Sequence, residues 1–281
     1  MKIGVYTNRI MDAECKIAQG FVAAALSVGY DCGGQFECGF DKPVKKFDNL
    51  EELAAWAEMI AVIGGDGTVL AVAGETAKKG VPILAIHNGS LGFLTEVKIT
   101  EIKKALKLIN EGKYDTEQRT MLETKFDGET HVALNEVLIA RRNRSGICKL
   151  SAYCDGVYFD TYTGDGVIVS TPTGSTGYSL SAGGPVLSPK LEAIVLTPLC
   201  VHALNNRSIV FNDSEVLMIR VDGKDDHNCI HIDGRQLSKD VKVGMSFEIK
   251  KSKLTTRFVR FSEKSFYARM YSKLANWNKR D

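Results

Sequence analysis

Five apolar residues, Met59 to Ile63, run directly into Gly64-Gly65-Asp66-Gly67-Thr68 and then into the helical pattern Val69 to Ala73. A strand that feeds a helix through three glycines lets backbone N–H groups approach whatever binds at the turn. The helix N-terminus adds a partial positive charge suited to phosphate. Asp66 is therefore an acid placed where a phosphate would sit, and its charge would repel that ligand. The cost makes sense if Asp66 does chemistry, as a base or through a metal. The plainer explanation is a tight Asp-Gly turn between strand and helix.

The neighbouring sequence extends this pattern. Lys2 to Thr7 reads as a strand and Ala13 to Val28 as a helix ending at Gly29. Asn49 caps a helix through Glu58, with Glu52 completing a capping box. Thr68 to Lys79 is a helix closed by Gly80, Pro82 to His87 a strand, and Glu101 to Glu111 a helix capped by Thr100 and stopped by Gly112. Short apolar strands alternating with helices imply a parallel sheet covered on both faces, with ligands at the carboxyl ends of its strands. Asp66 and the loop from His87 to Phe93 both fall there.

After Lys113 the texture changes. Polar residues Tyr114 to Thr120 form a boundary, and hairpin signals follow. Asp127-Gly128 separates Leu122–Phe126 from Thr130–Ala140, and Asp155-Gly156 separates Leu150–Cys154 from Val157–Tyr162. Further strands are expected at Val167–Ser170, Ala193–Pro198, Ser208–Phe211, Val216–Val221, Ile230–Asp233, Phe247–Lys250 and Arg257–Phe261. The fold class is thus α/β plus β. A Rossmann-like α/β domain (1–119) precedes a β-rich domain of β-sandwich type (120–261). A C-terminal helix (262–281), with Phe266, Met270, Leu274 and Trp277 at helical spacing, is expected to return to the first domain.

Composition sets outer limits. A net charge of +2 over 281 residues offers no basic surplus for a dedicated nucleic-acid binder. The seven cysteines are odd in number and lack C-x-x-C spacing, so they read as reduced thiols. No signal segment and no membrane-length apolar run is visible, and a cytoplasmic protein is expected.

The run from Ser170 to Pro185 carries no charge and is packed with hydroxyls and glycines. A linker of that composition would avoid Tyr178 and Leu180, and would not follow a strand as strong as Val167-Ile168-Val169. Backbone donors, hydroxyls and one aromatic face suit a ribose, phosphate or heterocycle. Asn135-Glu136 lies inside a strand, where a Glu on the inner face would be buried unless partnered. Gly164-Asp165-Gly166 is a turn by default, of interest for its place before the hydroxyl-rich loop.

Together these segments resemble the bacterial NAD kinases. The resemblance rests on Gly64-Gly65-Asp66-Gly67-Thr68, Asn135-Glu136 and the run from Asp165 through Pro185, in that order and spacing over nearly the whole chain. Asn205-Asn206-Arg207-Ser208-Ile209-Val210 and Asp233-Gly234-Arg235 occupy places where the family has similar sequences. Gly177 stands where the family commonly carries alanine, and residues 141–148 match no family position individually. The resemblance implies transfer of the terminal phosphate of ATP, or of polyphosphate, to the 2′-hydroxyl of the adenosine ribose of NAD, yielding NADP. It makes Asp66 the proton acceptor, with Gly67 beside it, and Asn135 and Glu136 the pair holding the ribose. Thr176, Gly177, Tyr178, Ser179, Leu180 and Ser181 would line the adenine and phosphate site, and Phe93 would pack near the adenine. Asp165 would be a dinucleotide contact, one that in this family can come from a neighbouring subunit, so a homotetramer or homodimer is expected. Mg²⁺ is expected with the donor phosphates, and no residue is assigned as a metal ligand.

Lipid kinases share Gly-Gly-Asp-Gly-Thr, but there the motif commonly runs on into Asn-Glu, whereas Val69-Leu70 follow here. No basic amphipathic helix is present to meet a membrane. Phosphofructokinase-type sugar kinases share the turn but lack the hydroxyl-rich loop. A dinucleotide sensor without turnover would gain nothing from an acid facing phosphate. His227-Asn228-Cys229-Ile230-His231 puts three potential ligands on one strand face, yet no second cluster supplies a fourth, and ordinary strand alternation is expected.

Overall fold

The structure, a computed structural model, describes residues 1–261 apart from 11, 36–37, 41–42, 88, 90–91, 143–145, 202–206 and 224–227, and adds Tyr267 and Met270. The chain divides into two compact units, 1–118 with 255–281, and 119–254. The expected C-terminal helix at 262–281 lies outside the described residues except for Tyr267 and Met270, both helical.

The first unit is built from β1 (Lys2–Thr7), α1 (Lys16–Ser27), β2 (Asp31–Gln35), β3 (Lys45–Phe47), α2 (Leu50–Trp56), β4 (Met59–Ile63), α3 (Asp66–Lys79), β5 (Ile83–His87), β6 (Val97–Lys98) and α4 (Ile102–Asn110). Its strands pair in parallel in the order β5-β4-β1-β2-β3, with Ile60 opposite Ile83 and Ile3 opposite Met59. One face packs Phe21 and Val22 of α1 and Leu106 and Ile109 of α4 against Ile3, Val5, Ala61, Leu84 and Ile86. On the other face Gly4 lies against Leu53 of α2 and Ile60 of β4, close enough that a Cβ there would meet both at 3.1 Å. Each fully buried Leu or Ile contributes about 1.5–3 kcal/mol, so both faces must be covered, as the apolar strands required.

Local chemistry sets the helix ends, in places differently from the sequence expectation. α1 begins at Lys16 rather than Ala13, because the Asp12 carboxylate accepts from the amides of Ile17 and Ala18, each at 3.1 Å. Asn49 caps α2 by accepting from the Glu52 amide at 2.9 Å, and the helix stops at Trp56. Gly80 closes α3 in the left-handed region at φ 68°. The cap expected from Thr100 is not used. A 3₁₀ turn at Ile99–Glu101 leads into α4, and the Glu101 carboxylate accepts from the Lys98 amide at 3.3 Å.

The polar stretch 114–120, expected as a boundary, forms the first half of β7 (Asp115–Phe126), and the division between the two units falls within it, after Gln118. The second unit continues with β8 (Glu129–Ala133), β9 (Glu136–Arg141), β10 (Cys148–Cys154), β11 (Val157–Gly164), β12 (Gly166–Ser170), α5 (Tyr178–Ser181), β13 (Ala193–Leu199), β14 (Ile209–Asn212), β15 (Leu217–Asp222), β16 (Asn228–Ile232), β17 (Arg235–Val241) and β18 (Ser246–Arg260). Strands β14-β13-β12-β9-β16-β17 form one antiparallel sheet. Strands β11-β10-β15 with the first part of β18 form another antiparallel layer. Their inner residues, among them Val137, Ile139, Val169, Leu196, Leu150, Ile219 and Phe247, make one core, which is a sandwich. The last part of β18 belongs to the first unit, where Phe258 pairs in parallel with Ile83 of β5. Among the described residues no helix is long and apolar enough to cross a membrane.

Candidate active site

In the first unit the carboxyl ends of β4 and β5 bring the glycine-rich turn and the segment after His87 together. The Gly64 amide donates to the Ile86 carbonyl at 2.9 Å, which seats the turn beside β5. Gly64 must be glycine, since a Cβ there would collide with the Thr68 hydroxyl. Asp66 is the first residue of α3 and is half-buried. Its Oδ2 accepts from the Phe93 amide at 2.9 Å and its Oδ1 from the Leu94 amide at 3.1 Å. A carboxylate has about four acceptor sites, and these two amide bonds orient the group. A Cβ on Gly92 would strike the Asp66 carboxylate, a requirement that the sequence did not reveal. Gly67 is exposed beside Asp66, and the ring of Phe93 is buried.

In the second unit three segments converge on Asn135 and Glu136, two of them consecutive in sequence. The first is the hydroxyl-rich loop. The Thr171 hydroxyl donates to the Leu134 carbonyl at 2.6 Å, and the Thr171 amide donates to the Asn135 carbonyl at 2.9 Å. The same hydroxyl accepts from the Gly174 amide at 3.0 Å, and a Cβ at Gly174 would collide with the Asn135 carbonyl. Gly177 then lies over the pair: a Cβ there would sit 3.1 Å from Asn135 Nδ2 and 3.4 Å from Glu136 Oε2.

The second segment is the β16–β17 turn. Asp233, held at φ 49°, accepts from the amides of Leu134, Asn135 and Glu136 at 2.8, 2.7 and 3.1 Å. The third is β12, whose Ser170 pairs with Glu136 across the ladder. Glu136 is 6% exposed, and its Oε2 and the Oδ1 of Asn135 have no hydrogen-bond partner among the described residues. Burial, with the Asp233 carboxylate beside it, pushes the Glu136 carboxyl up to about 8. Burial also raises Asp233, to about 6, against the pull of its three amide donors.

The remaining sequence candidates take different positions. Ser179 is fully buried, its hydroxyl 2.9 Å from that of Thr197, whereas Tyr178 is 47% exposed. Thr176 and Leu180 are half-buried and Ser181 is exposed. Asp165 stands apart. It pairs with Arg141 (Nε to Oδ1 2.8 Å, Nη2 to Oδ2 3.1 Å) at the far end of the β9–β12 ladder from Glu136. Five residue steps separate Asp165 and Arg141 from the Glu136–Ser170 end, about 17 Å at 3.3 Å per residue.

Candidate metal ligands are few. Among the described residues, the ligand atoms of Cys154, Asp155 and Glu215 cluster, but Asp155 accepts from the Val216 amide and Glu215 from the Asn212 amide, so both carboxylates hold turns. Cys229 Sγ lies 3.3 Å from His231 Nε2, while His227 is outside the described residues.

Comparison with known proteins gives a consistent result. The profile of the ATP-NAD kinase N-terminal domain matches residues 40–114, and that of the ATP-NAD kinase C-terminal domain matches 134–261. The NAD kinase of Clostridium botulinum (strain 657 / Type Ba4) is 41% identical over 235 residues, 82% of each chain. The chain belongs to the NAD kinase family. It is accordingly a phosphotransferase. Another member, the NAD kinase of Caldanaerobacter subterraneus subsp. tengcongensis, is 37% identical over 97% of this chain and 98% of its own. The family fold extends to more distant structures. Yeast NADH kinase complexed with NADH superposes with a TM-score of 0.88 at 23% identity, covering 99% of this chain and 88% of that one. An NAD kinase from Archaeoglobus fulgidus in complex with ATP superposes with a TM-score of 0.75 at 24% identity, covering 98% and 99%.

Proposed function

We propose that this chain moves the terminal phosphate of ATP to the 2′-hydroxyl of the adenosine ribose of NAD, releasing NADP and ADP. The observation that carries the reading is the pair of buried, unpartnered oxygens, Asn135 Oδ1 and Glu136 Oε2. Leaving such groups unpaired costs about 1–3 kcal/mol each, so a site that keeps them is built to meet a polar ligand. Vicinal ribose hydroxyls supply donors and acceptors at the right scale. Gly177 beside them leaves room for a ring to approach.

The chemical role falls to Asp66. A ribose hydroxyl is a poor nucleophile at neutral pH, and a carboxylate within hydrogen-bond reach takes its proton as the bond to phosphorus forms. The amides of Phe93 and Leu94 hold that carboxylate in one orientation before substrate arrives. Amides of the first turn of α3 face a phosphate favourably. Among the described residues no carboxylate cluster is built around Asp66. That donor set suits Mg²⁺ carried on the ATP phosphates, where it neutralises their charge, rather than one caged by protein. Inorganic polyphosphate presents the same terminal group and remains the alternative donor. The enzyme acts as a homo-oligomer, with Asp165 serving the neighbouring subunit, and its seven unbridged cysteines suit the reducing cytoplasm.

The test is purified protein with NAD, ATP or polyphosphate, and Mg²⁺, with NADP read by an NADP-specific dehydrogenase. Product from the wild type, and at least a hundredfold less from Asp66→Asn with NAD binding retained, supports the assignment. Tight NAD binding with no product from either donor would overturn it in favour of a sensor.

A further inference from the structure

The carboxylate of Asp66 is held by the segment Gly92–Leu94, so whatever fixes that segment fixes the base. The segment is pinned locally: the Gly92 amide donates to the Thr95 hydroxyl at 2.9 Å, and the Glu96 amide to the Ala85 carbonyl at 3.0 Å. A third tie comes from the other end of the chain. Arg260, the last residue of β18, donates through Nη1 to the Leu94 carbonyl at 3.2 Å. The same peptide chain thus takes a bond from Arg260 at Leu94 O and gives one to Asp66 at Leu94 N.

The guanidinium is itself aimed by two carboxylates. Glu117 of β7 accepts from Nε at 2.7 Å, and Glu96 lies 3.4 Å from Nη1. The Arg260 and Glu96 side chains are only 8% and 7% exposed. Burying such a cluster returns little net stability, because desolvation cancels most of the attraction. What the cluster does supply is geometry, since a guanidinium fork fixes the directions of its bonds where an ammonium does not.

We propose that Arg260 is a positioning residue for catalysis: it locks the Phe93–Leu94 amides in place and so sets the orientation of the Asp66 carboxylate. The inference rests on Asp66 being the base. It requires no contact between Arg260 and substrate. Misplacing a reacting group by about 1 Å costs up to ~100-fold in rate, so the effect belongs in kcat.

The experiment uses the full chain and three variants, Arg260→Lys, Glu117→Gln and Gly92→Ala, each checked for cooperative unfolding above the assay temperature. Arg260→Lys keeps the charge and loses the fork. Glu117→Gln weakens the anchor behind it. Gly92→Ala pushes on Asp66 directly. The expected result is a kcat lowered about tenfold or more in Arg260→Lys and Gly92→Ala, less in Glu117→Gln, with KM for NAD and ATP within about twofold. Adding Arg260→Lys to Asp66→Asn should lower the residual rate no further. If Asp66→Asn keeps its turnover, the base assignment fails first. If Asp66→Asn is inactive while folded Arg260→Lys retains wild-type kcat, or loses activity only through KM, Arg260 is structural and the proposal is wrong. Should Arg260→Lys not fold, a folded Glu117→Gln with unchanged kcat overturns it equally.

Discussion

Glu136 and Asp233, 97 residues apart in sequence, hold each other by two reciprocal bonds: the Glu136 amide donates to Asp233 Oδ1 at 3.1 Å, and the Asp233 amide donates to the Glu136 carbonyl at 3.0 Å. The turn between β16 and β17 therefore fixes the start of β9, and with it the side chains that face the proposed ribose. An aspartate serves here as a backbone clamp, and its charge is felt by the carboxyl it positions.

Replacing Asp233 by Asn tests the clamp. Oδ1 can still serve the amides of Asn135 and Glu136, but the new Nδ2 would face the Leu134 amide, donor against donor. One buried amide without an acceptor costs about 1–3 kcal/mol. The urea midpoint of the second unit should fall accordingly, and KM for NAD should rise because Asn135 and Glu136 lose their fixed backbone. A midpoint equal to wild type would show that the three bonds are dispensable.

The Glu136–Asp233 pair also makes stability depend on pH. Burial raises Glu136 from 4.5 to about 8 and Asp233 from 3.8 to about 6 in the folded chain, with Arg235 and the three amides opposing the shift at Asp233. The folded protein then binds more protons than the unfolded one between about pH 4 and 8, so its stability from this pair falls as pH rises through that window. Glu136→Gln removes the main titration. We expect that variant to gain stability over wild type at pH 8 relative to pH 5, while losing NAD affinity, as scanned by thermal unfolding at both pH values. A wild-type slope that survives the substitution would assign the pH dependence to other groups.

Two glycines three residues apart should respond differently to alanine. Gly174 is pressed on the Asn135 carbonyl, with no flexible atom to yield, so Gly174→Ala should destabilise the second unit and abolish activity. At Gly177 a Cβ would meet the movable Asn135 Nδ2 at 3.1 Å and the Gly174 carbonyl at 3.2 Å, a tight fit that stops short of collision. Gly177→Ala, the residue the family commonly carries, should keep kcat and change KM for NAD by no more than about threefold, roughly 0.7 kcal/mol. Steady-state kinetics on both variants decide the matter, and a dead Gly177→Ala would refute the placement.

The sequence exposed those parts of the site whose chemistry is local. Gly64 to Thr68 could be read because strand, turn and helix follow one another without interruption, and the loop from Ser170 to Pro185 because its composition fits no ordinary element. Asp233 could not be read as a clamp, since Asp-Gly between two strands is explained by the turn alone. Arg260 looked like an ordinary strand residue, because its partners Glu117 and Leu94 lie more than 140 residues away. Strands β2 and β3 were missed for a related reason. Gly33 interrupts the apolar pattern, but a Cβ there would come within 2.7 Å of Phe47 and closer still to Trp56, so the strand carries glycine to admit two distant aromatics. Long-range packing set each of these choices, and periodicity does not record it.

Asp165 supplies the last prediction. Within one chain it lies about 17 Å along the strands from Glu136, held by a two-point ion pair to Arg141. If it serves a neighbouring subunit, two separately inactive chains should rescue each other. Asp66→Asn lacks the base but offers an intact Asp165, and Asp165→Ala lacks the donated carboxylate but keeps its own base. Co-expressed with different affinity tags and purified through both, the mixed oligomer should recover up to about a quarter to a half of wild-type kcat per chain, depending on subunit number. Each parent alone should stay low. Mixed oligomers no more active than the better parent would mean that Asp165 acts within its own chain, and the ion pair with Arg141 would then be its whole role.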